Sequence, residues 1–180
     1  MIKAISKIDD INKIIRNCLI TQGEIDGQFV RNSLSNSGPR LDKQIGENVF
    51  NSISHDNELV LFELILRQND SDMSMTDGND VLSKYQSFSF NIIIYGDNSH
   101  CLAVKLISRL RSEKVRNELY YDGVYVEEVS EPTSLNEFKN DTIWMRTDFA
   151  IDISCRLEFS QIDIDNEIEN PNDITSIEIT

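Results

Sequence analysis

A period of two runs through Phe149-Ala150-Ile151-Asp152-Ile153-Ser154-Cys155-Arg156-Leu157-Glu158-Phe159. Every odd-numbered residue in this stretch is apolar, whereas the even-numbered residues are polar apart from Ala150. Successive side chains of a β-strand point to opposite faces of its sheet. The alternation therefore predicts a long strand with one face in the core and the other in water.

Three further segments have the composition of strands. Leu59–Leu66 is too short and too apolar for a surface helix, and we interpret it as a central strand. Residues 85–95 form a second central strand, because four apolar side chains share one parity: Phe88, Phe90, Ile92 and Ile94. Residues 124–129 follow the Asp122-Gly123 turn and are predicted to form a strand that ends before Pro132.

Helical spacing of apolar residues occurs in two segments. The first is predicted to be an amphipathic opening helix on the pattern Ile8, Ile11, Ile14, Ile15, Cys18 and Leu19. The second begins after Gly96, with Asp97 or Asn98 as its N-cap, and carries the stripe Ala103, Leu106, Ile107 and Leu110. A capping box at Ser134-Leu135-Asn136-Glu137 predicts a third, brief helix.

This order of elements predicts an α+β fold: a mostly antiparallel sheet of four or more strands with helices packed on one face. We expect one domain over residues 1–162, with long loops at about 21–57 and 69–84, where Gly, Asn, Ser and Asp replace any periodic pattern. Residues 163–180 hold six carboxylates and no Lys or Arg. We interpret them as an acidic C-terminal tail, either disordered or paired with a sheet edge.

Composition restricts the function. The chain has 180 residues and a formal net charge of -14, so its own field disfavours a general phosphate-binding surface. No apolar stretch approaches the roughly 20 residues that span a bilayer. The charged N-terminus lacks the pattern of an export signal, which predicts synthesis in the cytoplasm. Three cysteines without a CxxC pair predict reduced, mostly buried thiols.

Motifs that carry catalysis are missing from the sequence. It contains no Walker loop, dinucleotide-binding GxGxxG, HExxH or GxSxG. The acidic cluster from Asp70 to Asp80 has the wrong spacing for an EF-hand, since Met75 stands where glycine is required. Neither His55 nor His100 belongs to a recognisable catalytic pair. We therefore predict no catalytic residues, no metal site and no cofactor.

A cluster of positive charge stands out against this acidic background. Five cations lie between residues 105 and 116, against the single acid Glu113: Lys105, Arg109, Arg111, Lys114 and Arg116. A solvated helix face explains such a cluster. The alternative is that an acidic protein with one basic helix has two complementary patches for head-to-tail association with its own copies. On that hypothesis, Lys105, Arg109 and Arg116 are candidate interface residues.

Three stretches resemble the tail terminator (neck terminator) family of tailed bacteriophages and related phage-tail-like particles. They are Tyr85 to Gly96, Val126 to Ser130, and above all Trp144-Met145-Arg146-Thr147-Asp148-Phe149-Ala150-Ile151-Asp152-Ile153. The last stretch has the form W-x-R-x-D-[FW]-x-[IV]-x-[IV]. The resemblance covers roughly residues 5–162, and the order of elements agrees with it.

The resemblance implies a structural virion protein and no enzyme. A terminator caps the tail tube, typically as a hexameric ring, and presents the surface to which head-tail connector proteins attach. The implied partners are further copies of the chain, the tail tube protein, the sheath protein if the tail is contractile, and the connectors. DNA passes through the ring without specific binding, no membrane is involved, and the implied location is the head-proximal neck of the virion.

Trp144, Arg146 and Asp148 begin the long strand and are further candidates for a subunit interface. Their other interpretation is local: a core or edge-covering aromatic, and an ion pair within one chain. Two other functions stay open at this point. One is a neighbouring head-tail connector or tail-completion protein, and the other, less favoured, is a phage-encoded hydrolase.

Overall fold

A computed structural model describes residue 5 and residues 8–32, 58–66, 74–77, 81–139 and 142–160. Its helices are α1 (Ile8–Gly23), α2 (Ser99–Arg111) and α3 (Glu113–Tyr121), and a 3₁₀ turn covers Gly27–Phe29. Its strands are β1 (Val30–Asn32), β2 (Leu59–Leu66), β3 (Ser74–Asp77), β4 (Val81–Tyr95), β5 (Val124–Val129), β6 (Thr133–Lys139) and β7 (Thr142–Ser160).

All seven strands belong to one sheet, in which β4 and β7 lie at the centre. The main order is β1-β2-β4-β7-β5, with β3 beside β4 and β6 beside β7. β4 pairs with β7 along its whole length, from Val81↔Ser160 to Tyr95↔Arg146. The β1–β2 pair is parallel and the other pairs between strands are antiparallel. The predicted α+β class with a mostly antiparallel sheet is thus confirmed.

The main core lies between one face of the sheet and the three helices of the described part of the chain. The predicted apolar parities of β4 and β7 point into it, since Phe90 and Ile153 are each 0% exposed. α1 contributes Ile11, Ile15 and Leu19, and α2 contributes its predicted stripe. Each fully buried side chain of this size contributes roughly 1.5–3 kcal/mol. Helices therefore cover one face of the sheet, as the alternation predicted.

The opposite face of the sheet carries a second, smaller hydrophobic cluster. There Leu59, Leu61 and Tyr95 are buried, and Ile93 and Trp144 pack against them. This explains why Leu59 to Phe62 show no alternation, because a segment of strand with both faces covered is apolar on both parities.

Two predictions about local structure were wrong. Residues 69–84 were expected to be a loop, but β3 pairs with the start of β4, from Ser74↔Lys84 to Asp77↔Val81. The Ser134 capping box was expected to begin a helix, but β6 pairs with β7 from Thr133↔Asp148 to Lys139↔Thr142. Polar strands at a sheet edge carry weak local signals, since cross-strand pairing and not propensity holds them in place.

The five cations between residues 105 and 116, which the sequence placed on one basic helix, lie on two helices, α2 and α3. Ser112 has an extended ψ of 143°, ends α2 and caps α3, where its side chain accepts a hydrogen bond from the amide of Val115. Val115 and Leu119 then bury the inner face of α3. Asn98 is the N-cap position of α2, as predicted, although its side chain makes no capping hydrogen bond.

Several expectations fall on residues outside the described ranges. For the loop at 21–57 the structure describes residues up to 32, where α1 continues to Gly23 and β1 follows. Residues 33–57, the acidic tail at 163–180, His55 and Asp70 lie outside the described residues. Among the helices that the structure describes, none is long and apolar enough to cross a membrane.

Candidate functional site

The outer end of β7 projects past its neighbour β4. The register of β4 ends at Tyr95↔Arg146, and residues 142–145 pair with β6 as their only strand among the described residues. We call β6 together with residues 142–145 the arm. It is a two-stranded extension of the sheet, and sequence reasoning missed it because β6 was interpreted as a helix.

The arm exposes three large apolar side chains on one face. Phe138 is 70% exposed, Ile143 67% and Met145 50%. Phe138 lies directly opposite Ile143, and Met145 shares the parity of Ile143, so the three form one surface, which we call the arm patch. Contiguous exposed apolar surface on a protein is typical of a site of interaction.

A charged cluster holds the base of the arm. The Arg146 guanidinium donates to both carboxylate oxygens of Asp148, with Nε–Oδ1 at 2.8 Å and Nη2–Oδ2 at 2.5 Å. Its Nη1 is 3.5 Å from Oε2 of Glu137 on β6, and the guanidinium carbon lies 5.8 Å from the centre of the Tyr95 ring. We call Tyr95, Glu137, Arg146 and Asp148 the bracing cluster, because it joins β4, β6 and β7.

Tyr95 completes this cluster through its hydroxyl, which donates to Oε2 of Glu137 at 2.8 Å. Burial, followed by this hydrogen bond, raises the pKa of Tyr95 to about 12. The hydrogen bond to Asp148 is the main cause that raises the pKa of Arg146. The tyrosine is thus neutral and the arginine charged across the physiological range.

The structure places the three candidates of this strand in local roles. Arg146 and Asp148 form an ion pair within the chain, with about a quarter of each side chain exposed. Trp144 packs on the smaller hydrophobic cluster. Both are the local interpretations left open by the sequence, and a contact of the same residues with another subunit stays a prediction.

Lys105 and Arg109 on α2 cap the end of α1. Lys105 Nζ donates to the carbonyl of Gly23 at 3.1 Å, and Arg109 donates to the carbonyl of Gln22. Both also bind the carboxylate of Glu24, at 3.0 and 2.8 Å, respectively. Cations at a helix C-terminus satisfy its last carbonyls and interact favourably with its dipole. Lys105 and Arg109 therefore stabilise the fold by binding the end of α1. The solvent-facing basic surface that the sequence predicted is partly used for these internal contacts.

Glu24 follows α1 in the left-handed region, with φ of 58°, where residues with a side chain are strained. Its hydrogen bonds to Arg109 and then Lys105 hold the pKa of its carboxyl below the usual range. A carboxyl with a lowered folded pKa adds stability above its unfolded pKa, and that contribution is lost as the pH falls through the folded pKa.

Glu24→Gln is accordingly expected to lower the thermal unfolding midpoint slightly at pH 7. The difference from wild type should shrink as the pH falls toward the lowered pKa of this carboxyl, because protonation removes the charge that Arg109 and Lys105 bind. Glu128→Gln is the control, since Glu128 is an exposed carboxylate on β5. A difference that stays constant between pH 7 and pH 3 would show that the ion pairs of Glu24 do not stabilise the fold.

Arg116, the remaining basic candidate, lines a pocket between α3 and the edge strand β5. The pocket has a volume of about 410 Å³. Its lining, which we call the tyrosine pocket, is Arg111, Glu113, Arg116, Asn117, Tyr120, Tyr125 and Val126. Tyr120 and Tyr125 are 45% and 56% exposed. The adjacent Tyr121 is 61% exposed, with its ring edge-on to Tyr120. Sequence reasoning missed these tyrosines, because α3 was not foreseen.

The three cysteines differ in their exposure to solvent. Burial raises the pKa of the thiols of both Cys18 and Cys155 to about 12, whereas Cys101 on α2 is exposed. The thiolate is the reactive form, so buried thiols with raised pKa react slowly.

One thiol is therefore expected to react rapidly with an aromatic disulfide reagent at pH 8. Cys101→Ser should remove that fast phase, and Cys18→Ser should leave it unchanged. Three equally fast thiols would contradict the packing of α1 and β7.

The other residues that the sequence offered for chemistry do not come together as a centre in the described part of the chain. His100 lies on the surface of α2, with Nδ1 3.0 Å from Oγ of Ser134. Among the described residues, no group of three His, Cys, Asp or Glu is arranged to hold a metal ion.

A hydrophobic arm and an aromatic pocket, both open to the surface, indicate a protein of the assembly class, which acts by contact with other proteins. Over residues 9–180 the sequence matches the model of the family described as phage neck terminator protein, and the chain belongs to that family. No curated protein matches the chain. The family match confirms the resemblance found at Trp144 to Ile153.

Membership gives the chain a structural role in the neck of a bacteriophage. The family also implies a location in the tail region of the virion and interaction with other tail and head components.

Proposed function

We propose that this chain is a tail terminator subunit that forms a ring, typically hexameric, at the head-proximal end of the tail. The ring caps the tail tube, and the last sheath ring if the tail is contractile, and then presents the docking surface for the head-tail connector. The observation that carries this proposal is the family match over residues 9–180, together with exposed apolar surface at two separate places on the subunit.

Two separate contact surfaces are what a ring subunit needs. A closed ring with more than two members requires each subunit to meet its neighbours through two different patches. The arm patch and the tyrosine pocket are such a pair, and they leave other surfaces for the tube and the connector. The proposed role uses no bond-making chemistry, so the subunit acts through shape and charge alone.

The net charge of -14 suits a ring through which DNA passes. Genomic DNA must cross the ring without adhering to it, and carboxylates that line the hole repel phosphates over a Debye length of about 8–10 Å. We propose that part of the acidic surplus faces the lumen. A ring whose hole is lined mainly by Lys and Arg would contradict this.

Particles assembled without this protein test the termination role. Electron microscopy should show tails of uncontrolled length that carry no heads. Tails of normal length that fail to join heads would instead assign the chain to the connector or tail-completion class. Virions that are normal in both respects would remove the chain from the neck.

A further inference from the structure

The arm patch lies at one end of the central strand β7, whereas the tyrosine pocket lies beside the middle part of that strand. Phe138 pairs with Ile143, whereas Val126 of the pocket pairs with Ile153, ten positions further along β7. At about 3.3 Å per residue, these positions are about 33 Å apart. The arm therefore cannot fill the pocket of its own subunit, and any contact between the two joins different molecules.

We propose that the arm patch of one subunit inserts into the tyrosine pocket of a second copy of this chain. This inference rests on the proposed ring and names the contact that builds it. The contact joins two different patches, so it is head-to-tail and repeats from each subunit to the next. A head-to-tail contact of this kind closes into a ring when its rotation permits.

Size supports a second copy as the occupant. The pocket volume of about 410 Å³ is sufficient for one aromatic side chain with part of a neighbouring aliphatic one. Five side chains on the two surfaces are about half to two-thirds exposed: Phe138, Ile143 and Met145 on the arm patch, and Tyr120 and Tyr125 in the tyrosine pocket. At roughly 100 Å² each, they supply about 500 Å², enough for the apolar centre of an interface that buries about 1,600 Å² in total.

Charge supports the same occupant. The pocket lining holds Arg111, Arg116 and Glu113, and Arg111 pairs with Glu131 at 2.7 Å, so these four groups sum to zero in a chain of net charge -14. On the arm, the carboxylate of Glu137 already pairs with Arg146, with Nη1 and Oε2 3.5 Å apart. Contact between arm and pocket thus avoids the like-charge repulsion that two such acidic subunits meet elsewhere on their surfaces.

Two single substitutions test the arm patch and the tyrosine pocket separately. Phe138→Ser removes the arm patch and keeps the pocket, whereas Tyr125→Ser opens the pocket and keeps the arm. Each should convert the purified ring to monomer in light scattering and native mass spectrometry. Mixing the two variants should then give 1:1 dimers and nothing larger, because only one competent contact remains per pair.

Matched controls exist on the same strands or at the same exposure. Leu135→Ser alters the opposite face of β6, where the side chain is 48% exposed, and should leave the ring intact. Tyr85→Ser removes a tyrosine as exposed as Tyr125, at 56%, from β4 on the other side of β7 and outside the pocket lining, and should also leave it intact. Circular dichroism and unfolding midpoints should be unchanged in all four variants.

The outcomes distinguish this contact from the ring itself. If the wild-type ring forms and both variants still form it, the contact is wrong and the ring stands, with the arm patch assigned to a tube or connector protein. If both variants are monomers but their mixture gives no dimer, the two surfaces do not meet. If the wild type never closes into an oligomer, the ring and the contact are both overturned.

Discussion

Replacing Phe90 by Ala is expected to lower the free energy of unfolding by about 3–5 kcal/mol. Phe90 is 0% exposed in the middle of β4, between Leu64 of β2 and Ile151 of β7 in the sheet. Its ring centre is 6.4 Å from that of Phe62. The substitution removes apolar contacts and leaves a cavity where helices meet sheet, which the surrounding side chains fill only in part.

Urea unfolding followed by circular dichroism measures this effect. Tyr85→Ala is the control on the same strand, with a side chain 56% exposed, and should change stability by no more than about 0.5 kcal/mol. Equal losses for the two variants would mean that the core does not lie on the even-numbered face of β4. A large loss at Phe90 alone supports the assignment of helices to that face.

Replacing Arg146 by Ala is the second large change, with an expected loss of about 2 kcal/mol. It leaves the carboxylates of Glu137 and Asp148 without the cation that they share, and it removes the guanidinium from the Tyr95 ring. The loss is smaller than that for a fully buried pair, because the Arg146 side chain is 25% exposed and partly screened. Since the cluster holds the base of the arm, we also expect the ring to shift toward monomer.

Arg146→Lys separates charge from geometry in this cluster. Lysine keeps the positive charge but has no planar fork to bind both oxygens of Asp148, so the variant should lie between wild type and Arg146→Ala. A double-mutant cycle with Asp148→Asn should give a coupling energy of about 1 kcal/mol. If Arg146→Ala unfolds and assembles like wild type, the bracing cluster does not position the arm.

Long strands with one wet face could be predicted from the sequence because burial imposes a period of two. Phe149 to Leu157 alternate as expected, since helices cover one side of β7 and solvent reaches the other. β6 could not be predicted in the same way. Its polar residues match a helix-capping motif locally, and pairing with the segment Thr142 to Asp148, which follows after two residues, makes it a strand.

The same distinction between local and long-range signals applies to the residues of the candidate site. Arg146 and Asp148 are two residues apart on a strand, so their ion pair was open to prediction. Tyr95 and Glu137 join them only through the sheet register, which no local pattern encodes. The sequence drew attention to the basic residues of α2 as interface candidates, which stays a prediction, whereas the end of α1 that Lys105 and Arg109 cap is brought to them by tertiary packing.

The central claim is that copies of this chain act together as a ring in the phage neck. Electron microscopy of assembled virions with a density label fused to the chain tests it most directly. We predict a single ring of label at the junction of tail and head, with a fixed copy number in every particle. Label along the whole tail, or particles without any label, would contradict the account.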